Sequence, residues 1–172
     1  MASSPGQHCT SKMKSAPPFT GRCACNHVQY QLNAAPMFVH CCHCTWCQRE
    51  SGSAFALNAL IETTQLQQLS DETITHHLPS ESGKGQSIDH CPKCATALWG
   101  HYAGMGESVV FIRAGSLDAA SEVEPDIHIF TESKLPWVVI PEHALAVPQY
   151  YRASEVWPEE SLARFRKARA TT

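Results

Sequence analysis

The chain is 172 residues long, the length of one domain, and 43% of it is apolar against 17% charged. That balance excludes a disordered chain of low hydropathy and high charge. A net charge of −3 excludes a strongly basic nucleic-acid binder or a polybasic membrane module. The excess lies in nine cysteines and ten histidines.

Met1–Thr20 carries Ser, Pro and Gly throughout and no apolar block of signal-peptide length, which predicts a disordered tail over residues 1–18 that includes Cys9. No run approaches the roughly 18 apolar residues of a membrane span. Without an export signal or a membrane span, the expected setting is cytoplasmic and reducing, where bunched thiols serve metal or redox chemistry rather than disulfides.

Gly21–Leu32 alternates through Val28, Tyr30 and Leu32 and reads as a strand; Asn33–Pro36 is a turn before a short strand at Met37–His40. The cysteine-dense Cys41–Arg49 ends in a helical turn stopped by Gly52. Ser53–Ile61 alternates again, with Phe55, Leu57, Ala59 and Ile61 on one face, and Thr73–Leu78 places Ile74, His76 and Leu78 together. After a flexible loop at Ser80–Gln86, strands are expected at Thr96–Tyr102, Ser108–Arg113, Ile127–Thr131 and Trp137–Ile140. Pro158 and two glutamates open a short amphipathic helix through Leu162 and Phe165, with basic residues at its end as the helix dipole favours. The expected organisation is a tail over 1–18, a mainly β domain over 19–157, and a C-terminal helix and tail over 158–172.

Seven cysteines fall in three knots, Cys23-Ala-Cys25, Cys42-His-Cys44-Thr-Trp-Cys47 and Cys91-Pro-Lys-Cys94. Tetrahedral zinc takes four thiolates at a structural site and three protein ligands at a catalytic one, and seven divides as four plus three. A Cys-x-Cys pair needs a partner pair from elsewhere, which assigns Cys23, Cys25, Cys91 and Cys94 to one closed site. Cys42, Cys44 and Cys47 then hold a second zinc with one position open. The phase is ambiguous, because Cys41, Cys44 and Cys47 are just as regularly spaced, and His43 or Cys41 would close the site as a fourth ligand. Asn26 and Ala95 follow the two knuckles; a left-handed backbone suits Asn there, whereas it strains Ala by about 1 kcal/mol.

These motifs, together with Arg113-Ala-Gly-Ser-Leu-Asp118 and the segment His128–Trp137, resemble the glutathione-dependent formaldehyde-activating enzyme family, whose domain is shared with centromere-protein-V-like proteins. The resemblance covers about residues 19–157. It implies coiled antiparallel sheets of the β-tent type with short peripheral helices, a structural zinc on Cys23, Cys25, Cys91 and Cys94, and a catalytic zinc on Cys42, Cys44 and Cys47. It also implies a carbon–sulfur lyase acting on a thiol–aldehyde adduct such as that of glutathione and formaldehyde. Proton transfer between hydroxyl and sulfur calls for an acid–base group, and His128 is the candidate because it interrupts an apolar strand. Lys134 and Trp137 are candidates for the pocket wall.

The competing reading is a non-catalytic zinc-stabilised module that binds a protein or chromatin. The charge argues against nucleic acid, and an open coordination position beside a concave pocket would separate the two readings. A thiol redox enzyme would need a reactive cysteine outside the metal sites, for which only Cys9 and Cys41 are spare. Exposed strand edges make a homodimer an expectation.

Overall fold

The computed structural model describes Met13 and residues 15–170. Most of the expected tail, with Cys9, lies outside the described residues. Met13 is buried in the core, and the Ser15 hydroxyl and N–H both donate to Glu122.

The strands are β1 (Phe19–Arg22), β2 (Gln29–Leu32), β3 (Phe38–Cys42), β4 (Ala56–Glu62), β5 (Leu66–Gln68), β6 (Ile74–Leu78), β7 (Gln86–His90), β8 (Ala97–Tyr102), β9 (Val109–Arg113) and β10 (Ile127–Ile129). The helices are α1 (Thr45–Ser51), α2 (Ala153–Val156) and α3 (Glu159–Ala170). Three strands form a small antiparallel sheet ordered β1-β2-β5; seven form a larger one ordered β10-β3-β4-β9-β8-β7-β6, antiparallel except where β10 runs parallel to β3. The protein is thus β-dominant with open sheets and peripheral helices. Among the described residues, no helix is long and apolar enough to cross a membrane.

The centre of the large sheet, at β3, β4 and β9, is buried on both faces, whereas the edge strand β6 is exposed. Phe19, Val28, Tyr30 and Leu32 of the small sheet pack against Val39, Ala59, Ile61, Val110 and Ile112. On the other side Phe38, Leu60, Val109, Phe111 and Ile127 meet Trp157 and Leu162 from the C-terminal segment. Double burial explains why one-sided alternation fails in β4: Ala56, Asn58 and Leu60 are as buried as Ala59 and Ile61. Trp157 stacks on Phe38 at a centroid distance of 5.0 Å. Arg164 of α3 grips Glu62 with two hydrogen bonds of 2.8 and 2.6 Å and reaches the Ala35 carbonyl at 2.9 Å. A bidentate guanidinium–carboxylate pair fixes direction as well as distance, so it sets where α3 lies on the sheet.

Two expectations are corrected. Gly21–Leu32 is not one strand but a hairpin, because Cys23–Asn26 turns the chain between β1 and β2. Trp137–Ile140 forms no strand: Val138 is buried, but Trp137 is 72% and Val139 87% exposed, and the segment pairs with no strand.

Candidate metal centres

Cys23 and Cys25 sit in the β1–β2 turn, Cys91 and Cys94 between β7 and β8. The two turns are closed alike, the Cys23 N–H donating to the Val28 carbonyl and the Cys91 N–H to the Thr96 carbonyl, each at 3.0 Å. Inside them the Asn26 N–H reaches back three residues to the Cys23 carbonyl at 3.0 Å, and the Ala95 N–H four residues to the Cys91 carbonyl at 2.9 Å. Both turns need a left-handed residue, and they have it, with φ of 61° at Asn26 and 56° at Ala95. Alanine therefore carries the strain that glycine would avoid. Ala95→Gly is expected to raise stability by about 0.5–1 kcal/mol in denaturant unfolding at unchanged metal content.

The four thiols converge, all Sγ atoms within 4.8 Å of one another. Zinc–sulfur bonds of about 2.3 Å in a tetrahedron place sulfurs about 3.8 Å apart. Cys23 and Cys25 Sγ stand 3.5 Å apart, and Cys25 and Cys91 Sγ 3.8 Å. The donor set fits zinc in number, softness and spacing. Hydrogen bonds from the Thr96 hydroxyl and N–H pull the Cys94 thiol down to about 5, favouring the thiolate a metal needs. Because β1 and β2 belong to the small sheet and β7 and β8 to the large one, a metal here ties the two sheets together.

Cys42, at the end of β3, meets Cys44 and Cys47 across the start of α1, again with Sγ atoms within 4.8 Å. Cys44 is the N-cap of α1, its Sγ accepting from the Cys47 N–H at 3.3 Å, and Gly52 ends the helix at φ 62°. Hydrogen bonds from the Cys42 and Cys47 thiols pull Cys44 down to about 3, while hydrogen bonding to Cys44 and Cys47, with burial, pushes Cys42 up. Three soft donors fit zinc with one position left for an outside ligand.

Cys41 faces the other way. Strand alternation sends it to a group with His43 and His128, where His43 Nε2 lies 3.5 Å from Cys41 Sγ and 3.0 Å from His128 Nδ1. The imidazoles stack at 5.3 Å. This third group does not fit a metal. A metal on Nε2 would force the proton onto His43 Nδ1, a buried atom without a partner, leaving an unsatisfied donor. Burial lowers both histidines, His43 to about 4, and pushes the Cys41 thiol up to about 12. The group is a neutral, hydrogen-bonded brace, and Cys41 lacks the exposed, low-pKa character of a redox thiol.

Sequence reasoning assigned no role to the polar groups around the triad. Arg113, at the end of β9, bonds Asn58 Oδ1 at 2.7 Å and forms a buried ion pair with Glu50 of α1. Its charge works toward the Cys47 thiolate, against the hydrogen bond with Cys44 and the burial that leave that thiol pushed up to about 12. The available signal was one arginine closing the apolar run Val109–Ile112.

The triad opens onto a cavity of about 620 Å³. Cys42, Cys44 and Cys47 line its floor, with His40 and Asn58 beside them, and aromatic side chains form much of the wall. His40 Nε2 and the Tyr151 hydroxyl share a hydrogen bond of 2.5 Å. His128, Lys134 and Trp137 do not line this cavity. His128 faces the Cys41 side of the sheet, and Lys134 Nζ donates to the Leu135 and Val138 carbonyls at 3.2 and 2.7 Å.

A family model described as glutathione-dependent formaldehyde-activating enzyme matches residues 18–133. Comparison with curated proteins finds no match. Among solved structures the chain is similar to a crystal structure of a Rhodobacter sphaeroides protein, with 14% identity and a TM-score of 0.44 over 62% of this chain and 91% of that one. The family match spans well over half of the 172 residues and takes in all seven cysteines of the two thiol clusters. The chain belongs to the glutathione-dependent formaldehyde-activating enzyme family.

Proposed function

We propose that the protein is a zinc-dependent carbon–sulfur lyase acting on a thiol–aldehyde adduct or related thiol conjugate, with a structural zinc on Cys23, Cys25, Cys91 and Cys94 and a catalytic zinc on Cys42, Cys44 and Cys47. The observation that carries this reading is the difference between the two thiol clusters. Four thiols complete a tetrahedron in one; three line the floor of a cavity in the other. A non-catalytic module would have no use for an incomplete ligand set facing a concave space. The family's β-tent architecture is our reading of the two open sheets, with the four-thiol cluster as the tie between them.

A zinc ion on the triad supplies a Lewis acid for a sulfur or oxygen of the substrate. The reaction itself breaks the C–S bond of a thiohemiacetal, with the hydroxyl proton passing to sulfur, to give an aldehyde and a thiol. Arg113, held by Glu50 and Asn58, places positive charge beside a three-thiolate set that would otherwise carry net negative charge. His40, and not His128, lines the cavity with its ring oriented by Tyr151. Burial pushes it down to about 3, so we assign it the role of a neutral imidazole that hydrogen-bonds and positions the substrate hydroxyl rather than one that stores the proton. A reducing, cytoplasmic setting belongs to the same proposal, because thiolate ligands must stay reduced to hold a metal.

The test is the native mass of freshly purified protein before and after brief exposure to a mild chelator. Two zinc ions are expected, one removed and one retained, with lyase turnover lost alongside the labile ion. A single zinc that resists the chelator would sink the enzyme reading and favour the binding module.

A further inference from the structure

Resting on the reading of the triad as a thiol site, we propose that its cavity selects substrates carrying a bulky apolar, aromatic group and discriminates against charged peptide thiols such as glutathione.

The wall opposite the sheet is made by Tyr151, Trp157 and Phe165, which lie beyond the residues that the family model matches. Trp157 and Phe165 sit 5.4 Å apart, and the Trp157 N–H is already satisfied by Tyr151 at 2.6 Å, so the indole presents an apolar face. On the sheet side, Tyr102 and Phe111 are in ring contact at 4.6 Å. Phe130 completes the enclosure at a structural cost. Its φ of 57° is a conformation that a side-chain-bearing residue adopts at about 1 kcal/mol, and it holds the ring 4.7 Å from Tyr150 in the cavity wall.

Charge in the cavity points the same way. Its charged lining residues, Glu81, Lys84 and Arg169, are all exposed, which places them at the mouth. Arg169 lies 5.6 Å over the Phe165 ring, extending the aromatic surface rather than offering a free clamp. The partly buried cation nearby, Arg113, is committed to Glu50 and Asn58 and does not line the cavity. Glutathione carries two carboxylates and an ammonium, and charges of that kind enter an apolar cavity only where partners await them. An aryl group needs no such partners, and the walls supply the edge and face contacts it prefers.

The test measures binding to the zinc-loaded protein by quenching of tryptophan fluorescence, using 2-phenylethanethiol, its sulfur-free counterpart ethylbenzene, and glutathione. The aryl thiol is expected to bind at least about 30-fold more tightly than glutathione. Phe165→Ser is expected to weaken the aryl thiol about tenfold and leave glutathione unchanged. Tyr150→Ser, on a 60% exposed side chain, gives the same contrast should the Phe165 variant fail to fold. Glutathione binding as tightly as the aryl thiol overturns the proposal and leaves the thiol site standing. Ethylbenzene binding as tightly as the thiol supports the apolar cavity and removes the thiol-site reading instead. Absence of saturable binding by either aryl probe also overturns the proposal.

Discussion

Cys91→Ser is expected to cost the protein one zinc ion and at least about 10 °C of melting temperature. Cys91 is buried beside Trp99 and Leu98 in the core between the sheets, and its Sγ stands 3.8 Å from that of Cys25. Folding of metal-tied domains draws about 10–16 kcal/mol from a complete zinc–thiolate site, and loss of one thiolate forfeits a large part of it. A loss of about 5 kcal/mol corresponds to about 10–20 °C for a domain of this size. The effect is amplified by topology. The four thiols are contributed by one hairpin from each sheet, so weakening them frees the small sheet from the large one. Zinc content by native mass and unfolding by circular dichroism check this together. A variant that keeps both zinc ions and melts within about 3 °C of the parent would show that the four-thiol cluster is not a structural tie.

The matching substitution in the triad, Cys44→Ser, is expected to abolish lyase turnover by a factor of about a thousand or more while leaving the fold nearly intact. Cys44 has two roles, as a thiol of the triad and as the N-cap of α1 accepting from the Cys47 N–H. Serine is among the best N-caps, so the substitution preserves the second role and removes the first. The melting temperature should shift by less than about 5 °C, and only the chelator-labile zinc should be lost. Equal loss of stability from Cys44→Ser and Cys91→Ser would mean that both clusters are structural, and the catalytic assignment would fall. Retained turnover with the labile zinc gone would place the chemistry elsewhere.

Much of the thiol chemistry was legible because it is local. A two-residue or three-residue spacing between cysteines brings their sulfurs together whatever the surrounding fold, and Asn26 and Ala95 mark the turn positions that follow. The hairpin at β1–β2 was missed for a related reason. Alternation in Val28, Tyr30 and Leu32 runs straight up to the knuckle, and only the turn it makes shows that Phe19–Arg22 pairs back on Gln29–Leu32. Trp137–Ile140 misled in the opposite sense, since Trp137 and Val139 are exposed and apolar residues between prolines signal a strand only if another strand pairs with them.

By itself the sequence determined a mainly β chain and the family, because these rest on residue type and short spacing, and it grouped Cys23 and Cys25 with Cys91 and Cys94 because a closed tetrahedral site needs four ligands. Tertiary structure decided which of two adjacent cysteines joins Cys44 and Cys47. Successive residues of β3 point to opposite faces, and the sheet is covered on both, so Cys42 goes to the cavity and Cys41 to the buried histidines. The parallel pairing of β10 with β3 sets His128 opposite Cys41 rather than beside the triad. The cavity wall was decided in the same way: Trp157 and Phe165 lie more than a hundred residues from Cys44 in the chain, and only the docking of the C-terminal segment on the sheet, with Arg164 of α3 on Glu62, brings them into one cavity with the three thiols.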